Sequence, residues 1–202
     1  MKLRAFLFAF MISVGAVGFW GCKGSAANDQ VAVLETSYGR IVIEFFPEDA
    51  PKNVANFKNL VAEGFYDGTK FHRLVRTSKG PVAIQGGDPN TINGDPSTWG
   101  QGQPGQPTVP GEFSARLKHV RGIVSEARKS GDVNSGTSQF FICTGSEPQW
   151  DGQYSIFGHV IEGMNVVDTI ANAPVWPTNP PEKPRDPVVV KHAYLTKRSE
   201  LK

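Results

Sequence analysis

The chain has 202 residues, of which 39% are hydrophobic and 20% charged, with a formal net charge of +2. That length suits one domain with short appendages. Lys2 and Arg4 are the only charged side chains among residues 1–21, so the remainder is formally neutral and gives no electrostatic case for nucleic acid or an anionic membrane surface. Two cysteines, Cys22 and Cys143, make no disulfide framework. No CxxC, HExxH or P-loop pattern occurs, so neither a metal nor a cofactor is expected.

Met1–Arg4 is a short basic start, followed by an apolar run, Ala5–Trp20, that is too short to span a bilayer comfortably. This pattern predicts an export signal over 1–21 and a polar tether over 22–30. Gly21-Cys22 looks like the end of a bacterial lipoprotein signal, with Cys22 lipidated, although Phe19 and Trp20 depart from the usual residues before it. Cleavage after Ser25-Ala26-Ala27 and an uncleaved anchor are the alternatives. All three place the domain outside the cytoplasm, and the first predicts a lipid anchor in the cell envelope.

The domain is predicted over 31–197, with a tail at 198–202. Val31–Thr36 and Arg40–Phe46 read as strands joined by a hairpin at Ser37-Tyr38-Gly39. Helical spacing follows over Pro47–Gly64, with Val54, Phe57 and Val61 on one face, Asp49 and Pro51 suiting its start and Gly64 its stop. Strands are expected at Lys70–Val75 and Val82–Gln85, separated by a polar insert, Arg76–Pro81. A long Gly-, Pro- and Gln-rich loop runs to Glu112, and loops of that length are usually functional or disordered. Further strands are expected at Gly122–Ala127, Gln139–Cys143, Ser155–Ile161 and Val188–Leu195, a helix at Gly163–Ala171, and a Pro-rich connection over Pro174–Pro187. Many short strands with two brief helices suit a mainly β, closed antiparallel barrel.

Three stretches hold polar residues inside apolar strand-like runs: FHRLVRTSKGPVAIQGGD (Phe71–Asp88), TSQFFICT (Thr137–Thr144) and WDGQYSIFG (Trp150–Gly158). A charged residue in an apolar strand needs a partner or a ligand. FHR, QGGD, SQFFICT and DG-Y-IFG, in that order, resemble the cyclophilin family of peptidyl-prolyl cis/trans isomerases. The resemblance implies an eight-stranded barrel with a helix at each end, and an enzyme that speeds rotation about X-Pro bonds in unfolded or loop segments of exported proteins. It implies proline-containing peptides as partners, and cyclosporin-like ligands bound more weakly because of an altered pocket. A monomer is expected.

X-Pro rotation breaks no bond, so it needs no nucleophile, metal or cofactor. It needs donors for an amide nitrogen that loses resonance in the transition state. Arg73 is the candidate donor, Gln85 is placed to orient it or to bind the substrate backbone, and these two are the catalytic candidates. The resemblance places Phe141 as the floor of the proline pocket and Gln139, Ala127 and Arg128 along the peptide backbone. It places Trp150 and Tyr154 on the far wall and His72 at the rim. Val82 and Ala83 stand where the family usually has larger residues, which implies a wider or shallower pocket. Trp150 stands one residue after the family's usual tryptophan position. Structural roles compete with each assignment: an ion pair for Arg73, satisfied core amides for Gln85 and Gln139, plain packing for Trp150. One of Phe140 and Phe141 must be core, because adjacent strand residues face opposite ways, and the motif places Phe140 inside. Cys143 reads as an inert buried thiol. The alternative function is a non-catalytic peptide-binding or holdase module using the same groove, which the Val82-Ala83 change favours.

Overall fold

The computed structural model describes residues 29–177 and 182–201. The expected signal and Cys22 lie outside the described residues. Eight strands form one antiparallel sheet: β1 (Gln30–Thr36), β2 (Gly39–Phe45), β3 (Arg73–Thr77), β4 (Gly80–Gly86), β5 (Ile123–Glu126), β6 (Phe140–Cys143), β7 (Ile156–Glu162) and β8 (Val190–Lys197). Their order is β3-β4-β6-β5-β7-β2-β1-β8. The helices are α1 (Pro51–Ala62), a single turn α2 (Asn90–Asn93) and α3 (Met164–Ala171). Among the described residues no helix is long and apolar enough to cross a membrane.

The expected closed barrel is corrected to an open one: no ladder joins β3 to β8 among the described residues. One isolated bridge, Lys70 to Val189, spans the seam, and the amide of Phe71 donates to the Val188 carbonyl at 3.0 Å. Pro184 and Pro187 precede this point. Beyond it the Leu74 amide donates to the Glu182 carbonyl, so the chain before β8 leaves the strand register of β3.

One core fills the concave side of the sheet. Leu34, Ile41, Ile43, Leu74, Ile84, Phe140 and Ile142 from the strands meet Val54, Phe57 and Val61 of α1 and Val167 and Ile170 of α3. Each such side chain contributes about 1.5–3 kcal/mol by leaving water. Helix α1 packs on β7 and β8, and α3 on β2, β3 and β4. Pro51 opens α1, as its missing N–H allows. Asp49 does not cap it. The cap comes from a distant residue: the Glu112 carboxylate accepts from the amides of Lys52 and Asn53, each at 3.0 Å.

Arg76–Pro81 is not a loop insert. It lengthens the β3–β4 hairpin, whose two-residue turn is Ser78-Lys79, with Thr77 paired to Gly80. The Arg76 guanidinium reaches back to the carbonyls of Ala171 (2.9 Å) and Ala173 (2.7 Å) at the end of α3. Cations suit helix C-termini, whose last carbonyls lack helical partners.

Candidate active site

The strand register builds the site. Arg73 pairs with Gln85, Gln85 with Phe141, and Phe141 with Ser125, across β3, β4, β6 and β5. Cross-strand partners lie side by side on one face, so these four form a row on the outer side of the sheet. Gly87 ends the QGGD turn with φ +83°, and a Cβ there would stand 2.6 Å from the Ser138 carbonyl. Only glycine fits that approach. Above the row lies an open groove of about 700 Å³.

Its floor and one wall are aromatic. Phe141 lies 5.2 Å from Trp150 and 5.3 Å from Tyr154, both edge to face. Arg128 lies over the Tyr154 ring at 4.7 Å. Beneath them sits His119, a residue that no local pattern marked. Its Nδ1 and backbone amide both meet Asp151 Oδ1, at 3.0 and 2.8 Å. That partner places the proton on Nδ1, so Nε2 accepts from the Ser125 hydroxyl at 3.1 Å. The contacts of His119 hold Asp151 below the usual carboxylate range, the backbone N–H first. The His119 ring stacks under Phe141 at 6.0 Å. Asp151, His119 and Ser125 are not a nucleophilic triad: Ser125 is fully buried below the floor, where no substrate carbonyl can reach it. Cys143 is buried nearby, and desolvation pushes its thiol up to about 12, which leaves it unreactive.

The opposite wall is polar. Arg73 Nη1 donates to Gln85 Oε1 at 3.3 Å, Gln85 Nε2 to Gln139 Oε1 at 3.0 Å, and Gln139 Nε2 to the Gly100 carbonyl at 3.2 Å. The other side of the guanidinium is gripped by Glu182, with Nε to Oε2 at 2.6 Å and Nη2 to Oε1 at 3.2 Å. A guanidinium has five N–H donors. Among the described residues three are committed, which leaves two. His72 is buried and lines the groove, yet among the described residues neither ring nitrogen has a hydrogen-bond partner. Burial, opposed by Asp88, lowers its pKa to about 4, so the ring is neutral.

Of the residues expected at the site, His72, Arg73, Ala83, Gln85, Ala127, Arg128, Phe141, Trp150 and Tyr154 line the groove. Gln139 joins them through Gln85. Val82 is not among the lining residues. A register shift between Val75 and Arg76 leaves Val82 as the unpaired residue of a β-bulge, while Ala83 and its partner Val75 of β3 line the groove. Trp99, Gly100, Glu182 and Lys183 complete the lining. These last four come from the long loop and the Pro-rich connection, where no spacing rule points to them.

A family model described as cyclophilin type peptidyl-prolyl cis-trans isomerase/CLD matches residues 31–195. The chain belongs to that family. It is 42% identical over 144 residues to peptidyl-prolyl cis-trans isomerase-like 3 of Gallus gallus, covering 70% of this chain and 82% of the relative. It is 38% identical over 163 residues to a probable peptidyl-prolyl cis-trans isomerase of Brucella abortus, covering 79% of each. A cyclophilin type isomerase of Cryptosporidium parvum, crystallised in the presence of the dipeptide Ala-Pro, superposes with a TM-score of 0.70 at 33% identity, covering 83% of this chain and 99% of that one. This cyclophilin is thus a peptidyl-prolyl cis-trans isomerase by family, by sequence and by fold.

Proposed function

We propose that this cyclophilin turns X-Pro bonds in unfolded or loop segments of exported proteins, with Arg73 as the donor to the prolyl nitrogen. The observation that carries the reading is the outer row: a guanidinium with two N–H bonds uncommitted stands two strands from an aromatic floor. The proline ring would rest on Phe141 between Trp150 and Tyr154. Gln85 and Gln139 would orient Arg73 and the extended peptide, with Ala127 and Arg128 along its path. As the amide twists, its nitrogen gains a lone pair, and Arg73 would donate to it. A preorganised donor in a water-poor site supplies roughly 3–4 kcal/mol, against a barrier of ~18–20 kcal/mol. Tyr154, its ring packed on Phe141, would offer its hydroxyl to the carbonyl before proline. The peptide-holding alternative rests on the Val82-Ala83 change and gives Arg73 no chemical task.

The test is an isomerisation assay on a short Ala-Pro peptide series. Arg73→Ala should lower the rate by ~10²-fold or more, and Arg73→Lys should recover little, because an ammonium lacks the fork. A folded Arg73→Ala protein at wild-type rate would sink the mechanism.

We also propose that the protein is exported and anchored through a diacylated Cys22. The basic start, the short apolar run and Gly21 before Cys22 support this. Two acyl chains anchor stably where one does not. Mass spectrometry of the mature amino-terminal peptide should find the lipid on Cys22. A free terminus at Asn28, or unchanged processing of Cys22→Ser, would rule the anchor out.

A further inference from the structure

The polar wall contains a carboxylate that the isomerisation chemistry does not require. Glu182 belongs to the connection between α3 and β8, 109 positions along the chain from Arg73. Four contacts hold this segment in place. The Leu74 amide donates to the Glu182 carbonyl at 2.7 Å, and the Trp176 amide to the Lys183 carbonyl at 2.9 Å. Val175 bridges Pro184, and Lys183 Nζ donates to the Pro96 carbonyl at 2.7 Å. The strap is therefore tied to β3 on one side and to the long loop on the other. Its carboxylate is 17% exposed, while the Arg73 side chain is 46% exposed.

A half-exposed arginine is a loose donor unless something fixes its rotamer. Gln85 alone could not, since its contact is a single bond at 3.3 Å. The two-point contact with Glu182 is the stronger constraint, and planar bidentate pairs fix orientation as well as distance. The grip takes Nε and one N–H of Nη2, so it does not block the guanidinium. Nη1 and Nη2 each keep one free N–H. An inhibitory latch would have covered them.

We propose that Glu182 is a positioning residue for the isomerase: it clamps Arg73 from the side so that its remaining N–H bonds are held ready for the twisted amide. This rests on the reading of Arg73 as the transition-state donor. It assigns the Pro-rich strap a catalytic purpose, delivered through another residue. A clamp that acts only on a transition-state donor should alter kcat and leave KM nearly untouched.

The decisive experiment is a double-mutant cycle on the full chain with an Ala-Pro peptide. Glu182→Gln should lower kcat about tenfold and shift KM by less than twofold. In an Arg73→Ala background the same change should have no further effect. The Arg73 Nε–H signal in NMR, sharp and slow to exchange in the wild type, should broaden or vanish in Glu182→Gln. Glu182→Thr serves as a second variant, because it also removes the clamp and should behave alike. If Arg73→Ala is slow but Glu182→Gln runs at wild-type speed, the clamp is wrong and the Arg73 reading stands. Full multiplication of the two effects would show that Glu182 acts by another route, which also overturns the clamp. If both single variants run at wild-type speed, the Arg73 reading itself falls.

Discussion

Two neighbouring rows of residues cross the same four strands and do opposite things. Leu74, Ile84, Ile142 and Val124 are successive cross-strand partners, all fully buried in the barrel core. One residue earlier on β3, later on β4 and β5 and earlier on β6 lie Arg73, Gln85, Ser125 and Phe141. The period of two sends this second row to the outer face. In a sheet with a solvated outer face it would be polar and exposed. Here Phe141 and Ser125 are buried too, because the loops carrying His119, Trp150 and Tyr154 form a second layer over them. The side chains of the inner row are held by apolar packing. In the outer row Arg73 and Ser125 are held by hydrogen bonds from distant loops and Phe141 by ring contacts with them, and this row lies under the groove.

The comparison breaks most visibly at adjacent residues of β6. Phe141→Ala should cost about 3–5 kcal/mol of stability, as deletion of a buried aromatic ring does, and should abolish saturable turnover of Ala-Pro peptides. Ile142→Val, one residue along, should cost about 0.5–1.5 kcal/mol and leave kcat and KM as they were. Urea unfolding and the isomerisation assay measure the two readouts separately. A Phe141→Ala protein that is destabilised but still turns over peptide normally would remove the floor from the mechanism.

How much of this was legible in the sequence follows from the same geometry. Alternation with apolar content locates the inner row without help: LVR, AIQ and FFIC each carry their core residue in phase. The motifs locate Arg73, Gln85 and Phe141 on the outer side, since a guanidinium and an amide in an apolar run demand partners. What was not legible is the second layer. Glu182 and Lys183 follow a run of prolines, His119 follows a basic loop, and Trp99 and Gly100 lie in a Gly- and Gln-rich stretch. Their positions are set by tertiary contacts, which have no period. The seam was misread for a related reason. Strand counting suggests closure, whereas among the described residues only the isolated bridge from Lys70 to Val189 spans the seam between β3 and β8. The bulge at Val82 follows from register against β3, which a single strand's pattern does not contain.

Titration offers a second way to sharpen the contrast, because each side of the sheet holds one group away from its usual charge. Glu126 shares the inner phase with its partner Phe140. Its carboxyl lies against Gly136, where a Cβ would come within 1.9 Å of it. Burial first, then the carboxylate of Glu112, pushes it up from 4.5 to about 8. Between those values the folded state keeps a proton that the unfolded chain gives up. Stability therefore falls as pH rises, by ~4 kcal/mol at pH 8. His72, at the groove, does the reverse. Its pKa drops from 6.5 to about 4, so the unfolded chain takes a proton that the folded state refuses. Stability falls as pH drops from 6.5, by ~3 kcal/mol at pH 4. Glu126→Gln should flatten the alkaline limb and His72→Leu the acid limb, each leaving the other in place. Thermal unfolding from pH 4 to 8 checks both slopes. A limb that survives its own substitution would mean that the group titrates normally.

The smallest expected effect separates two adjacent residues of β4. Val82 is the bulge residue and does not line the groove, while Ala83 does. Ala83 packs with Phe141, Cys143, Ile123 and Ile156, and Val75 lies alongside. A longer apolar side chain at Ala83 would extend this cluster into the groove and meet the residues flanking a bound proline. Burying about one further methylene against the peptide is worth ~0.8 kcal/mol, or roughly a fourfold gain in affinity. Ala83→Met should therefore tighten binding of a short Ala-Pro peptide by about that factor. Val82→Met, of similar chemistry one residue away, should leave affinity where it was. Fluorescence titration using Trp150 at the groove wall can follow both. Equal shifts for the two variants would mean that Val82 also reaches the peptide and that the bulge does not keep it out of the groove. No shift for Ala83→Met would mean that the peptide passes clear of β4 and rests on Phe141 alone.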